Sequence, residues 1–117
     1  MSETEGLSRE FAKLAVEARG GLYTFHDDAP VLCDWYVWDE EGRTRWTDHD
    51  FDGWPGFGIV VDEMRRRGFD VTLSAWSPER WTVDIESDLK TYSCADNDPC
   101  TAVLTAAVTA LRAEAER

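Results

Sequence analysis

Apolar residues recur at helical spacing near the start of the chain. Leu7, Phe11, Leu14, Ala15 and Ala18 fall on one face, with Arg9, Glu10, Lys13 and Glu17 elsewhere. The pattern predicts a first helix over residues 8–19, with Ser8 as its N-cap and Gly20-Gly21 as its stop. A second helical run follows further on, where Phe57, Val60, Val61 and Met64 recur at i, i+3, i+4 and i+7. Pro55 suits its first turn, Arg65-Arg66-Arg67 lies where cations favour the helix dipole, and Gly68 is the stop. A third helix opens on Asp98-Pro99 as N-cap and first residue. Leu104, Ala107, Val108, Leu111 and Ala115 mark its buried face, and its alanine content favours helix.

Between these helices the period changes to two. Residues 22–25 form a short extended piece. Residues 31–38 predict a strand with Val31, Cys33, Trp35 and Val37 on one face and Leu32, Asp34, Tyr36 and Trp38 on the other. Asp39-Glu40-Glu41-Gly42 reads as a hairpin turn, returning through residues 43–47. Later, Phe69, Val71, Leu73 and Ala75 alternate with Asp70, Thr72 and Ser74. Trp81, Val83 and Ile85 alternate with Arg80, Thr82, Asp84 and Glu86. Pro78 suits the turn between them, so the two form an antiparallel hairpin. Residues 92–98 read as a loop. The order α-β-β-α-β-β-α predicts one α+β domain over residues 1–117, with a mainly antiparallel sheet of about four strands packed with three helices.

Residues 54–112 carry a helix ending in MRRRGF, a strand FDVTLSAW, a return strand RWTVDIES and a final helix of the type ADNDPCTAVLTAAVTALRA. In this order they resemble the phage ABA sandwich domain family. The resemblance implies a small phage-encoded accessory protein working in the host cytoplasm. It brings no catalytic motif with it.

Charge narrows the classes of partner. The net charge is −12, from 12 basic and 24 acidic residues. It is concentrated early: residues 1–63 carry 15 acids against 5 bases. Binding to nucleic-acid phosphate depends on Lys and Arg, so direct nucleic-acid binding is not expected. The acidic surface suits basic partners, cations or solvent. No apolar run approaches the length of a membrane helix, and the N-terminal MSETEGLSRE lacks the basic and apolar regions of a signal peptide. A cytoplasmic location and free thiols at Cys33, Cys94 and Cys100 are therefore expected, with a Cys94–Cys100 bridge as the oxidised alternative.

Three constellations carry candidate chemistry. Asp48-His49-Asp50-Phe51-Asp52-Gly53 matches the first half of an EF-hand calcium loop, with Asp48, Asp50 and Asp52 as ligands. The bidentate glutamate that such a loop needs at its last position is replaced by Ile59, though Asp62 or Glu63 lies nearby. A charged helix entry is the competing reading. His26, Asp27, Asp28 and His49, with the neighbouring aspartates, would suit a metal-dependent enzyme if their loops met. Gly53, Gly56 and Gly58 open a helix but follow three aspartates and have no lysine, which argues against phosphate binding. No nucleophile motif is present. Finally, six tryptophans are many for this length. Tyr36, Trp38, Trp46 and Trp54, rimmed by Asp39, Glu40 and Glu41, would form a protein-binding hot spot. The expected function is a non-enzymatic protein–protein interaction module. The alternatives are an acidic DNA mimic that inhibits a host enzyme, and a metal-dependent enzyme or calcium-binding domain.

Overall fold

The computed structural model describes residues 3–18, 23–26, 36–39, 51 and 53–116. The chain runs α1 (Glu3–Ala18), β1 (Tyr23–His26), β2 (Tyr36–Asp39), α2 (Gly53–Arg66), β3 (Asp70–Ser77), β4 (Arg80–Glu86), β5 (Thr91–Asp96) and α3 (Pro99–Ala115). The class is α+β, with three helices and an antiparallel sheet of order β3-β4-β5. Among the described residues the strands form two ladders rather than one four-stranded sheet: β1 and β2 pair antiparallel apart from β3-β4-β5, with Tyr23 opposite Asp39 and His26 opposite Tyr36. The expected pairing of β2 with a return strand at residues 43–47 lies outside the described residues, as do residues 31–35.

The third helix is the axis of the core. Cys100, Ala102, Val103, Leu104, Ala106, Ala107, Ala110 and Leu111 are among its buried residues. Burial thus extends well beyond the single face read from spacing, and Ala115 at the far end is exposed. A helix that is apolar on nearly all sides belongs inside. Its alanines keep it thin enough for neighbours to close in on several sides. Val83, Ile85 and Tyr92 cover it from the sheet, and Phe11 and Ala12 belong to the same core from α1. At its start Asp98 is the N-cap as expected. The carboxylate accepts from the Thr101 backbone N–H at 3.0 Å and from the Thr101 hydroxyl at 2.9 Å.

The second helix ends where glycine was expected to stop it. Gly68 has φ of +89°. Its N–H donates to the Arg65 carbonyl at 3.0 Å, and the Phe69 N–H donates to the Met64 carbonyl at 3.1 Å. This double closure satisfies two terminal carbonyls and folds Phe69 back against Met64, both buried. One turn earlier, Glu63 is 1% exposed. Arg67 holds it: Nε and Nη2 donate to Glu63 Oε1 at 3.2 and 3.0 Å, and Nη2 also donates to the Ala15 carbonyl at 2.8 Å. The buried carboxylate is thus paired with a base in the turn that closes its helix, and the guanidinium ties the end of α2 to α1. Leaving either partner alone inside would be costly.

Two expectations are corrected. The first helix begins at Glu3, so Ser8 lies inside it and is buried rather than capping it. Residues 91–96, read largely as loop, form β5. Its residues pair directly with β4, Tyr92 opposite Ile85 and Cys94 opposite Val83. The Ser87 hydroxyl accepts from the Leu89 and Lys90 N–H groups at 3.3 and 3.2 Å and so shapes the turn between the strands.

Gly56 sets the approach of α2 to α3. A Cβ there would lie 2.6 and 2.7 Å from the Phe51 backbone and 3.0 Å from Cys100 Sγ. Phe51, 1% exposed, meets Phe11 edge-on at 6.0 Å. A Cβ at Gly58 meets no atom within 4 Å. Gly56→Ala is therefore expected to destabilise the protein by about 1–3 kcal/mol, and Gly58→Ala to stabilise it by about 0.4–1 kcal/mol. Urea unfolding of the two variants beside the parent checks the opposite signs.

Candidate functional site

The most exposed aromatic groups gather at the hairpin end of the sheet. Trp54 lies in the first turn of α2 and is 54% exposed. It is not loose. Its ring meets Phe57, one turn on, at 5.5 Å and 69°, and meets Trp81 of β4 at 5.4 Å and 85°. Both are edge-to-face contacts, worth about 0.5–1.5 kcal/mol each. Trp54 therefore bridges helix and sheet while half of its surface stays open. Trp81 is itself only half-buried, although its alternation with Val83 and Ile85 marks it as core.

Trp76 lies at the same hairpin end, near the end of β3, and is 74% exposed. The β3–β4 register shifts between Ala75 and Ser77, so Trp76 is the extra residue of a bulge. A bulge frees its side chain from the ladder and re-aims it. Acids flank the same end. Asp96 sits opposite Trp81 in the β4–β5 ladder, and its Oδ1 accepts from the Asp98 N–H at 3.0 Å. Glu79 occupies the β3–β4 turn, where its N–H donates to the Ser77 hydroxyl at 3.3 Å.

The polar face of the sheet is also acidic. Three rows run across it: Asp70–Glu86–Thr91, Thr72–Asp84–Ser93 and Ser74–Thr82–Ala95. The Ser93 hydroxyl donates to Asp84 Oδ1. Asp70 and Glu86 are direct cross-strand neighbours of like charge, an arrangement that disfavours the isolated sheet.

Of the residues expected to meet a partner, Trp54 is placed on this surface. Tyr36, Trp38 and Asp39 lie on β2. Trp46, Glu40 and Glu41 lie outside the described residues. So do Asp48, Asp50 and Asp52 of the calcium-loop reading, and His49 of the metal-enzyme reading. His26 ends β1 opposite Tyr36. Glu63, considered as a ligand reaching back to the calcium loop, is turned inward to Arg67. Ile59 packs against the core from the position where a calcium-binding glutamate would stand. Among the described residues no group of three or more His, Cys, Asp or Glu side chains is placed to hold a metal. Cys94 and Cys100 are free thiols.

The sequence sets Trp76 near a loop end, where it breaks the alternation of β3 just before Ser77-Pro78, and it is exposed as that position suggests; Trp81, expected in the core, is only half-buried. The cleft at the opposite end, about 530 Å³, is open and mixed in polarity, with Phe69 and the exposed Leu89 beside Asp88 and Glu114. It presents no catalytic pairing. No helix among the described residues is long and apolar enough to cross a membrane. No protein-family model, curated protein or solved structure matches this chain.

If Trp54 is a surface group pinned at its base, Trp54→Ala should leave the chain folded and cost about 1–2 kcal/mol through the two lost ring contacts. Trp76→Ala should change stability by less than about 0.5 kcal/mol. Ile85→Ala, at a fully buried position, should cost about 2–5 kcal/mol. Thermal denaturation followed by circular dichroism ranks the three.

Proposed function

We propose that this chain is a non-enzymatic protein-interaction module whose contact surface is centred on Trp54. The observation that carries this reading is Trp54 itself, half exposed yet held edge-on by Phe57 and Trp81. A rigid aromatic group that is already ordered loses little entropy on binding, and tryptophan is the residue most enriched in binding hot spots. Trp76 adds a second exposed indole at the same end of the sheet. Tyr36, Trp38, Trp46, Asp39, Glu40 and Glu41 are the further residues that the sequence offers to a partner. The resemblance of residues 54–112 to the phage ABA sandwich family supports an accessory role in the host cytoplasm rather than a catalytic one.

The test is affinity capture from lysate in parallel with the parent protein, Trp54→Ala and the buried-site control Ile85→Val. A partner retained by the parent and the control, and weakened by about 2 kcal/mol or more in Trp54→Ala, is the expected outcome. Equal retention by Trp54→Ala with unchanged affinity would place the contact elsewhere and remove this reading.

A further inference from the structure

The two edges of the three-stranded sheet are not equally finished. On β4, Val83 and Ile85 are fully buried. On β5, Tyr92, the neighbour of Ile85, is buried as well, while Cys94, the neighbour of Val83, is half-buried. On β3, the neighbours of Val83 and Ile85 are Leu73 and Val71, and both are only half-buried, with Ala75 beyond them exposed. The apolar face therefore thins toward β3. Among the described residues no strand pairs with the outer edge of β3. Edge strands are ordinarily blunted by lysine, proline or a bulge. β3 contains neither lysine nor proline, and its bulge comes only at its end, so the ladder over residues 70–75 is regular.

The opposite face of the same strand tells what would fit. Asp70 on β3 is backed by Glu86 and Asp84 on β4. Of the nearby bases, Arg67 is directed to the buried Glu63 at 3.0 Å and Lys90 lies over the Tyr92 ring at 5.5 Å, while Arg65 and Arg66 are exposed at the end of α2, Arg66 3.9 Å from Glu63. Arg80 stands at the far, hairpin end of β4. A strand laid along β3 would alternate between two environments. On the helix side its residues would cover Val71 and Leu73. On the polar side they would stand beside Asp70 with two more carboxylates one strand away.

We propose that β3 accepts an extended, lysine- or arginine-bearing segment of a partner protein as a fourth strand. Its apolar residues complete the helix-side face and its cations offset Asp70, Asp84 and Glu86. Main-chain hydrogen bonds supply affinity in such strand addition, and the alternating side chains supply selectivity. The inference rests on the interaction reading above and gives the partner its chemistry. A second copy of this chain is a poor occupant, because it would bring Asp70, Asp84 and Glu86 of one copy toward those of another under a net charge of −12 each.

The experiment uses the full chain with a capped peptide of alternating lysine and valine as long as β3, and a glutamate–valine counterpart. Backbone amide exchange is read by NMR at low and high salt. The lysine peptide is expected to slow exchange of alternate β3 amides by about tenfold or more, a stabilisation of about 1.4 kcal/mol, with the effect shrinking at high salt. The glutamate peptide is expected to do nothing. The double variant Asp70→Lys with Glu86→Lys should reverse that preference. No protection of β3 by the lysine peptide at millimolar concentration overturns the inference, as does equal protection by both peptides. Protection that rises with protein concentration alone, without peptide, also overturns it and assigns the edge to a second copy. A captured partner that depends on Trp54 but is indifferent to Asp70 and Glu86 would overturn strand addition while leaving the interaction reading in place. A partner indifferent to Trp54 would remove that reading, whereas peptide protection of β3 would stand on its own.

Discussion

Helices α1 and α2 and strands β4 and β5 are arranged to bury one helix. The third helix carries so many small apolar residues that it has no broad polar face to give to water. Its exposed strip is narrow and self-satisfied: the Thr105 and Thr109 hydroxyls donate to the carbonyls four residues earlier, at 2.8 and 2.9 Å. Each of these elements covers a different flank. The sheet supplies Val83, Ile85 and Tyr92, and α1 supplies Phe11 and Ala12. The start of α2 comes in through Gly56, which brings the Phe51 backbone and Cys100 within a distance that no side chain at that position would allow. Close packing of this kind depends on volume to within a methyl group, and the sharp difference between Gly56 and Gly58 follows from it.

The same constraint explains where the open surface lies. Helix α3 begins just after β5 ends, so the hairpin end of β3 and β4 is left to other groups to cover. Trp54 and Trp81 do so by meeting edge to face, which leaves half of an indole in water. At the β3 side the helix layer also runs short, and Val71 and Leu73 stay half-covered beside fully buried neighbours. Exposed aromatic surface and an unfinished sheet edge are thus two consequences of one geometry: a narrow central helix covers a sheet slightly too wide for it.

Much of this was legible in the residues. Helical spacing located all three helices, and Gly68 and Asp98 marked a stop and a cap because their chemistry is local. Alternation placed β3 and β4 with the right residues on each face. What failed was non-local. β5 reads as loop because Thr, Ser, Cys and Asp are small or polar, and only pairing with β4 makes them a strand. The burial of α3 on several sides is invisible to a periodicity count, since alanine on an exposed face and alanine under a neighbouring helix look alike. The site was legible in part: Trp54 was singled out by its place near an acidic loop. Its seat on Trp81 and the bulge that turns Trp76 outward depend on contacts and register that spacing does not encode.

Native-state hydrogen exchange tests the central role of α3 most directly. If the helix is the buried axis, the amides of residues 103–111 should exchange only through global unfolding, with an opening free energy equal to that from urea denaturation, while α1 and the outer edge of β3 open at lower cost. Exchange of the α3 amides through a local opening well below the global value, or at the rate of those in α1, would contradict it.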